Sequence, residues 1–280
     1  MAGILSVQYN PKIGDKEANL KKVDDFVGKS SDKKLDLVVL PEFFSTGIMD
    51  HGLYKNIAEN EEGGVAINGI KEIAKKYNTN IVAGTIVEKV ANEKCGDRFY
   101  NTSFVINRNG EIVGKYRKIH LFKYLFGKED EITTPGDRPA VVDLDFGKVG
   151  INICYDIMFP VHIKNLVKMG AEIIAFPSAW FVRKDKYDDI KRLNAEKDLF
   201  KSLQRVRAFE NFTCIVSSNQ FGKIDENRYN IGCSMISAIP EYEDEISVKA
   251  GDEECTIYAD IDLDLVVRKY KKEFPISIID

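Results

Sequence analysis

An apolar run that ends in a cysteine constrains the fold of this chain more than any other feature of its sequence. Residues 149–154 read Val-Gly-Ile-Asn-Ile-Cys, and a proline suited to the first turn of a helix follows at position 160. Open α/β sheets place their chemistry at such strand ends. We therefore predict that Cys154 is a nucleophile whose pKa is lowered by the nearby helix N-terminus. The alternative is a buried structural cysteine, which is our expectation for Cys214 and Cys233.

Two other predicted strands end in charged side chains. Glu42 follows an apolar strand, and desolvation there is expected to raise its pKa toward the range useful to a general base. Lys118 lies at the end of a second predicted strand, in which Tyr116 and His120 would share its face. An ammonium group that faces a pocket can stabilise an oxyanion. The alternative for both residues is a surface charge without a role in chemistry.

The composition argues against several classes of protein. Forty Lys and Arg residues balance 44 Asp and Glu residues to a net charge of −4, which disfavours a nucleic-acid binder that relies on phosphate contacts. The N-terminus has no basic region followed by a long apolar one, and no apolar run has the roughly 18 residues of a membrane span. Five cysteines without a C-x-x-C pair fit a reduced, cytoplasmic protein without a zinc cage, and three histidines make a histidine-rich metal site unexpected.

Apolar periodicity predicts a single α/β domain that spans residues 1–280. The expected strands are 3–9, 35–40, 80–87, 100–107, 111–118, 141–145, 149–154, 173–176, 212–218 and 231–237, and the expected helices are 15–29, 69–77 and 160–169. Asn109-Gly110 and Phe146-Gly147 predict two hairpins, so the sheets should be mixed. The charged segment 183–198 leads into a helix that ends near residue 211. This segment either folds over a pocket mouth or is a solvated surface.

Three blocks of sequence resemble the nitrilase superfamily of carbon–nitrogen hydrolases, in the order in which its members carry them. They are Pro-Glu-Phe-Phe at 41–44, Tyr-Arg-Lys-Ile-His-Leu-Phe at 116–122 and Ile-Cys-Tyr-Asp-Ile-Met-Phe-Pro at 153–160. Supporting matches lie at 134–137, 170–174, 177–180 and 205–211, so the resemblance covers nearly the whole chain. Met158 stands where members commonly have arginine, and Val161 where they commonly have glutamate, which leaves the branch open.

The resemblance implies a four-layer αββα sandwich with two mixed β-sheets. It assigns Glu42 as general base, Lys118 as stabiliser of the transition state and Cys154 as nucleophile. The family's second active-site glutamate corresponds by its spacing to Glu129, with Glu131 as the alternative. No metal or cofactor is expected.

The resemblance also implies the surroundings of the thiol. The backbone N–H of Tyr155 would complete an oxyanion hole with Lys118. The expected walls of the substrate pocket are Phe43, Tyr124, Ser178, Ala179 and Trp180.

The implied activity is hydrolysis of a non-peptide C–N bond in a small amide or N-carbamoyl amine, through a thioester on Cys154. Three alternatives stay open: a nitrilase that acts on nitriles, a catalytically unused scaffold of the same fold, and a cysteine peptidase that pairs Cys154 with His120. The expected partners are a small-molecule substrate and a second copy of the chain, with no nucleic acid and no membrane. The resemblance also implies a homodimer or higher oligomer that pairs through the helices after the cysteine and lysine blocks, with the C-terminal segments 260–270 and 274–278 reaching across the interface.

Overall fold

The structure is a computed structural model of the chain, and it describes residues 1–49, 51–91, 96–123, 128–238, 246–269 and 272. In this part of the chain the helices are α1 (Lys16–Gly28), α2 (His51–Ile57), α3 (Val65–Tyr77), α4 (Pro160–Lys168), α5 (Lys184–Tyr187) and α6 (Ile190–Asn211). The strands are β1 (Ala2–Gln8), β2 (Leu37–Val39), β3 (Asn80–Val82), β4 (Ile86–Val90), β5 (Arg98–Ile106), β6 (Ile112–Arg117), β7 (Val141–Leu144), β8 (Gly147–Ile151), β9 (Ile173–Ser178), β10 (Phe181–Arg183), β11 (Cys214–Asn219), β12 (Phe221–Lys223), β13 (Arg228–Ile231), β14 (Met235–Ala238), β15 (Ile246–Lys249) and β16 (Cys255–Ile261).

Most of these strands lie in two mixed sheets. The first has the order β16-β1-β2-β3-β5-β4 with β6 paired to β5, and β1, β2 and β3 run parallel to one another. The second has the order β15-β14-β11-β9-β8-β7, with β8, β9 and β11 parallel. Both predicted hairpins are present, as the antiparallel pairs β5–β6 and β7–β8. A small sheet of order β10-β13-β12 was not predicted.

The two large sheets face each other across an aliphatic core. Ile4 and Val39 of the first sheet pack in one cluster with Ile151, Ala175 and Val216 of the second, and all five side chains are fully buried. Helices α1 and α3 cover the outer face of the first sheet, and α4 and α6 cover the outer face of the second. This arrangement confirms the predicted αββα sandwich.

The two helices over the first sheet begin where carboxylates cap them. Asp15 accepts a hydrogen bond of 3.0 Å from the N–H of Ala18, which fixes the predicted start of α1. Helix α3 begins at Val65, four residues before its predicted start, because the carboxylate of Glu59 accepts the N–H of Ala66 at 3.0 Å. Glu59 lies outside the helix, so the periodicity of the helix itself did not indicate this cap.

The strand predicted at 80–87 is broken at Gly84, and this break supports the chain around Glu42. Gly84 has a φ of +44°, and a Cβ at this position would lie 2.0 Å from the carbonyl oxygen of Pro41. The next residue, Thr85, accepts a hydrogen bond of 2.9 Å from the N–H of Phe43 through its hydroxyl. The turn between β3 and β4 therefore contacts the backbone on both sides of Glu42.

The charged segment 183–198 is largely helical. It forms α5 and the first turns of α6, whose N-terminus is capped by Asp189 through the N–H of Lys191 at 3.0 Å. Apolar periodicity did not predict these helices, because most side chains of the segment are polar and exposed.

One predicted strand near the C-terminus differs from the structure. The strand predicted at 231–237 is split into β13 and β14 by Cys233, whose φ is +62°. After β16 the chain forms a π-helical turn at Asp264–Arg268, and the tail at 274–278 lies outside the described residues. Among the described helices, none is long and apolar enough to cross a membrane.

Candidate active site

Cys154 lies at a sharp turn between the second sheet and helix α4. Strand β8 ends at Ile151, and Cys154 adopts a φ of +44°, a left-handed conformation that is costly for a residue with a side chain. A 3₁₀ turn at Cys154–Met158 follows directly and leads into α4. The carboxylate of Asp156 accepts the N–H of Ile153 at 3.0 Å and so stabilises the turn from within. The predicted strand–turn–helix arrangement is therefore present.

Glu42 is buried just beyond the carboxyl end of β2, with 2% of its surface exposed. Its Oε2 accepts a hydrogen bond of 3.0 Å from the N–H of Ala179, at the end of β9 in the second sheet. Its backbone N–H donates to the carbonyl of Ser178 at 3.3 Å, and its carbonyl accepts the side chain of Gln220 at 2.7 Å. These contacts fix Glu42 between the two sheets, at the edge where β9 also ends.

Lys118 lies one residue beyond the end of β6 and is 2% exposed. Its Nζ donates to Oε1 of Glu42 at 2.9 Å and to Oε2 of Glu129 at 2.8 Å. Because the strand has ended, the predicted alternation of faces is wrong: Tyr116 and His120 both contact Asp156 instead of sharing the surroundings of Lys118.

The structure distinguishes the two candidates for the second carboxylate. Glu129 begins a short 3₁₀ turn, and its Oε2 accepts the N–H of Phe122 at 2.8 Å in addition to the Lys118 ammonium. Glu131 is exposed and forms an ion pair of 3.1 Å with Lys128. Glu129 is therefore the glutamate that lies beside Lys118.

Asn101 was missed by the sequence analysis although it lies at the centre of this cluster. Its Nδ2 donates to Oε1 of Glu42 and to Oε1 of Glu129, both at 2.8 Å. Lys118 bridges the same two carboxylates from the other side. The available signal was the polar run 101–103 inside the apolar strand β5, since polar side chains buried in a strand require partners.

The thiol is neutral at neutral pH, and the predicted lowering of its pKa is wrong. Burial raises the pKa of Cys154 to about 12, and the negative charge of Glu42 adds to this rise. The positive charge of Lys118 and the nearby polar groups of Ser178 and Ala179 oppose the rise without cancelling it. The thiol therefore needs a base to remove its proton when it attacks.

The pKa of Glu42 is shifted in the predicted direction, and the pKa of Lys118 is shifted in favour of the charged form. Burial raises the pKa of Glu42, and the nearby charge of Glu129 raises it further while Lys118 lowers it. Burial opposes the charged form of Lys118, but the two glutamates hold its pKa well above its usual range. Lys118 is consequently a fixed cation, and Glu42 is a carboxylate with increased basicity.

His120 belongs to a separate network centred on the fully buried Asp156. Its Nδ1 lies 2.7 Å from Oδ1 of Asp156, and its ring stacks on that of Phe159 with the centroids 3.7 Å apart. Tyr116 donates to Oδ2 of the same carboxylate at 2.8 Å. Burial works against the charge of Asp156, but the hydrogen bond from His120 and the other contacts hold its pKa below the usual value. Within the described residues, no hydrogen bond joins His120 to Cys154.

The predicted residues of the pocket wall lie in different surroundings. Ser178 and Ala179 are buried beside it, and Phe43 lies next to Glu42, with its ring 5.2 Å from that of Tyr54. The indole of Trp180 packs on Phe200 with ring centroids 5.0 Å apart.

Two other predicted residues complete this set. Tyr155 follows Cys154 in the 3₁₀ turn, with its ring 5.3 Å from that of Phe122. Tyr124 lies outside the described residues.

Comparisons with known proteins agree with this fold. The model of the carbon-nitrogen hydrolase family matches residues 4–271. The chain is 33% identical over 272 residues to a nitrilase from Pyrococcus abyssi, covering 96% of this chain and 93% of that protein. It is 32% identical over 260 residues to the 2-oxoglutaramate amidase of Bacillus subtilis, covering 93% and 90%. The crystal structure of Saccharomyces cerevisiae Nit3, a member of branch 10 of the nitrilase superfamily, matches with a TM-score of 0.79 at 25% identity and covers 98% of this chain and 94% of that one.

The αββα fold and the match over nearly the whole chain define a hydrolase that acts on carbon–nitrogen bonds. The chain belongs to the carbon–nitrogen hydrolase family, within the nitrilase superfamily. Several relatives are amidases by name, which supports hydrolysis of an amide C–N bond as its chemistry.

Proposed function

We propose that the protein hydrolyses a small amide through a thioester on Cys154, with Glu42 as base and Lys118 as electrostatic stabiliser. The observation that carries this proposal is the convergence of three groups on one thiol. The charges of Glu42 and Lys118 both act on Cys154, and Ala179, whose backbone lies beside the thiol, donates its N–H to Oε2 of Glu42 at 3.0 Å. A neutral thiol beside a basic carboxylate is suited to attack with simultaneous proton transfer.

In the first half of the reaction, Oε2 of Glu42 takes the thiol proton while Sγ of Cys154 forms a bond to the amide carbon. The carbonyl oxygen becomes negatively charged. Glu42 and Glu129 take two of the three N–H donors of Lys118 in the described structure, and we assign the third to this oxygen, together with the N–H of Tyr155. One such donor contributes about 2.7–4 kcal/mol to stabilisation of the transition state. Glu42 then gives its proton to the nitrogen, the C–N bond breaks, and ammonia or an amine leaves.

In the second half, water attacks the thioester carbon and Glu42 takes a proton from it. The C–S bond breaks, the carboxylic acid product leaves, and Glu42 returns the proton to the sulfur. The covalent intermediate divides a difficult hydrolysis into two steps with the same base, so no metal is required.

For the substrate, we favour a small ω-amide over an N-carbamoyl amine. Relatives named omega-amidase in Saccharomyces cerevisiae and 2-oxoglutaramate amidase in Bacillus subtilis span nearly the whole chain. A nitrile is the second candidate, because the Pyrococcus abyssi relative is named a nitrilase. We assign four described residues to the pocket wall: Phe43, Ser178, Ala179 and Trp180. The Trp180 ring lies on the side of α6, where it packs on Phe200.

We also propose that the protein forms a homodimer through α4 and α6. Phe209 and Val206 on α6 are 65% and 48% exposed, and Val161 at the start of α4, which packs against α6, is 67% exposed. Exposed apolar side chains on adjoining helices favour self-association. Phe209→Asp is expected to shift sedimentation toward the monomer, whereas Leu53→Asp on α2, at a similarly exposed position, is the control that leaves it unchanged. A wild-type protein that sediments only as monomer contradicts this proposal.

The experiment that tests the proposed activity is ammonia release from a panel of ω-amides, N-carbamoyl amines and simple aliphatic amides, with nitriles included. Wild type is expected to hydrolyse at least one ω-amide. Cys154→Ala should abolish this turnover, whereas Cys255→Ala, a control at another partly buried cysteine, should retain it. Selective turnover of nitriles would replace the amide assignment, and no turnover of any compound would favour the scaffold alternative.

A further inference from the structure

Asn101 occupies a position that neither the expected residue roles nor the comparisons assign. It lies in β5, paired with Val87 of β4, and is 1% exposed. Its carbonyl accepts the backbone N–H of Lys118 at 2.9 Å, and its side-chain amide contacts Glu42 and Glu129. One residue thus contacts the backbone of the lysine and both carboxylates that the lysine bridges.

The orientation of the Asn101 amide follows from its partners. Both side-chain contacts of Nδ2 are carboxylate oxygens at 2.8 Å, so the NH₂ group must face them, and both of its N–H bonds are used. The amide oxygen is buried, and within the described residues it has no hydrogen-bond partner. An unpaired buried oxygen destabilises the fold, which argues that this side chain is not placed there for stability alone.

The contacts of Glu42 divide its two oxygens into different roles. Oε1 accepts hydrogen bonds from both Asn101 and Lys118, at 2.8 Å and 2.9 Å. Oε2 accepts the N–H of Ala179, a residue that lies beside the thiol of Cys154. The donors on Oε1 therefore hold the carboxylate with Oε2 on the side of Ala179.

We propose that Asn101 is a positioning residue that holds Glu42 with Oε2 facing Cys154 and keeps the carboxylate ionised beside Glu129. The inference rests on the proposed function, since it concerns the same thiol and base. A neutral amide is suited to this position because it donates to both carboxylates without adding charge. Lys118 alone leaves two carboxylates sharing one cation, and a donor to the ionised form favours that form.

Substitution of Asn101 should change the pH at which Glu42 becomes a base. The titratable groups that face Glu42 are Lys118, Glu129, Cys154 and Tyr54. Asn101→Ala removes a donor from the ionised carboxylate, and Asn101→Asp places a third carboxylate against the other two. Both changes favour the protonated form of Glu42, so the acid limb of thiol reactivity should move to higher pH by about one unit or more. Below that limb, the rate falls about tenfold per unit of the shift.

Asn80 offers a matched control on the neighbouring strand β3. It is also buried, and its Nδ2 donates to the carboxylate of Asp145 at 2.7 Å. It pairs with Leu37, at the end of β2 opposite to Glu42. Asn80→Ala should lower Tm in the way that loss of a buried amide does, and it should leave the acid limb in place.

The test is the pH dependence of Cys154 alkylation by iodoacetamide, followed by peptide mass spectrometry on wild type, Asn101→Ala, Asn101→Asp and Asn80→Ala. Alkylation of Cys154 depends on Glu42 as base but not on amide turnover. The measurement therefore reports on Asn101 even if the protein hydrolyses no amide in the panel and the proposed function fails. Where an amide is hydrolysed, kcat at neutral pH should fall in the Asn101 variants with little change in KM.

An upward shift of the acid limb in both Asn101 variants, absent from Asn80→Ala, is the expected result. The proposal would be overturned if the acid limbs of both Asn101 variants coincide with that of wild type and the variants differ from it only in a lower Tm. If the two variants do not fold, Asn101→Ser is used, because its hydroxyl can donate to only one carboxylate, and a shift in the same direction is expected.

Discussion

The side chains of Lys118 and Glu129 are joined by a hydrogen bond of 2.8 Å between Nζ and Oε2. Glu129→Gln should reduce kcat/KM about 10- to 100-fold, because a hydrogen bond to a charged partner contributes about 1.5–3 kcal/mol and the neutral amide leaves Lys118 with one counter-ion. Glu131→Gln is the control, since Glu131 pairs with Lys128 at the surface. Steady-state kinetics with a hydrolysed amide measures both effects. Equal losses in the two variants would contradict the assignment of Glu129.

Glu42→Gln and His120→Asn distinguish the proposed base from the one a cysteine peptidase would use. Loss of a general base costs about 10²–10⁴-fold in rate, so Glu42→Gln should remove nearly all turnover. His120→Asn retains a donor for Asp156, which His120 contacts at 2.7 Å, and should cost less than tenfold. Rates of amide hydrolysis at saturating substrate decide between them. A peptidase pairing would give the reverse order, with only the histidine change abolishing turnover.

Gly84→Ala tests whether the turn between β3 and β4 supports the backbone around Glu42. The added Cβ would lie 2.0 Å from the carbonyl oxygen of Pro41, and the φ of +44° is unfavourable for alanine. We expect a loss of at least about 2 kcal/mol in the free energy of unfolding, and lower activity in the folded fraction. The control, Gly52→Ala in α2, meets no atom within 4 Å and should stabilise the protein by about 0.5–1 kcal/mol. Urea denaturation measures both, and a neutral Gly84→Ala would contradict the close approach.

Glu88 should contribute stability that depends on pH. Burial opposes its charge, but two hydrogen bonds from Arg117 at 2.7 Å and 2.9 Å, with one from Thr102, hold its pKa below the usual value. The folded-state pKa is thus lower than the unfolded one. The stabilisation is therefore complete above the unfolded value of about 4.3 and is lost as pH falls through the lower folded value.

Glu88→Gln should accordingly cost about 2 kcal/mol near neutral pH, and the difference from wild type should shrink in acid. Chemical denaturation at a series of pH values measures this difference. Glu72→Gln, at an exposed pair with Lys75, should change stability by less than about 0.5 kcal/mol at every pH. A difference between wild type and Glu88→Gln that stays constant with pH would show that the carboxylate charge is not the source.

Local sequence patterns predicted the parts of the fold that depend on neighbours in the chain. Hairpins around Gly110 and Gly147, the helix after Pro160 and the turn at Cys154 all follow from residues within a few positions. The αββα arrangement was implied by the resemblance rather than by these patterns, and the layers of the structure agree with it.

The features that the sequence did not predict depend on contacts distant along the chain. The early start of α3 depends on Glu59, and the break at Gly84 on the carbonyl of Pro41. The raised pKa of Cys154 follows from burial and from the charge of Glu42, which lies 112 positions earlier in the chain. Asn101 was missed for the same reason, because only the assembled sheet brings its amide to the two carboxylates.

The central claim is that Cys154 carries the acyl group during turnover. Acid-quenched samples of wild type and Cys154→Ala, taken during hydrolysis of an ω-amide, can be compared by intact-mass and peptide mass spectrometry. The account predicts an adduct of the acyl mass on the wild-type peptide that contains Cys154, and neither adduct nor turnover in Cys154→Ala. Turnover by Cys154→Ala at a rate close to that of wild type would contradict it.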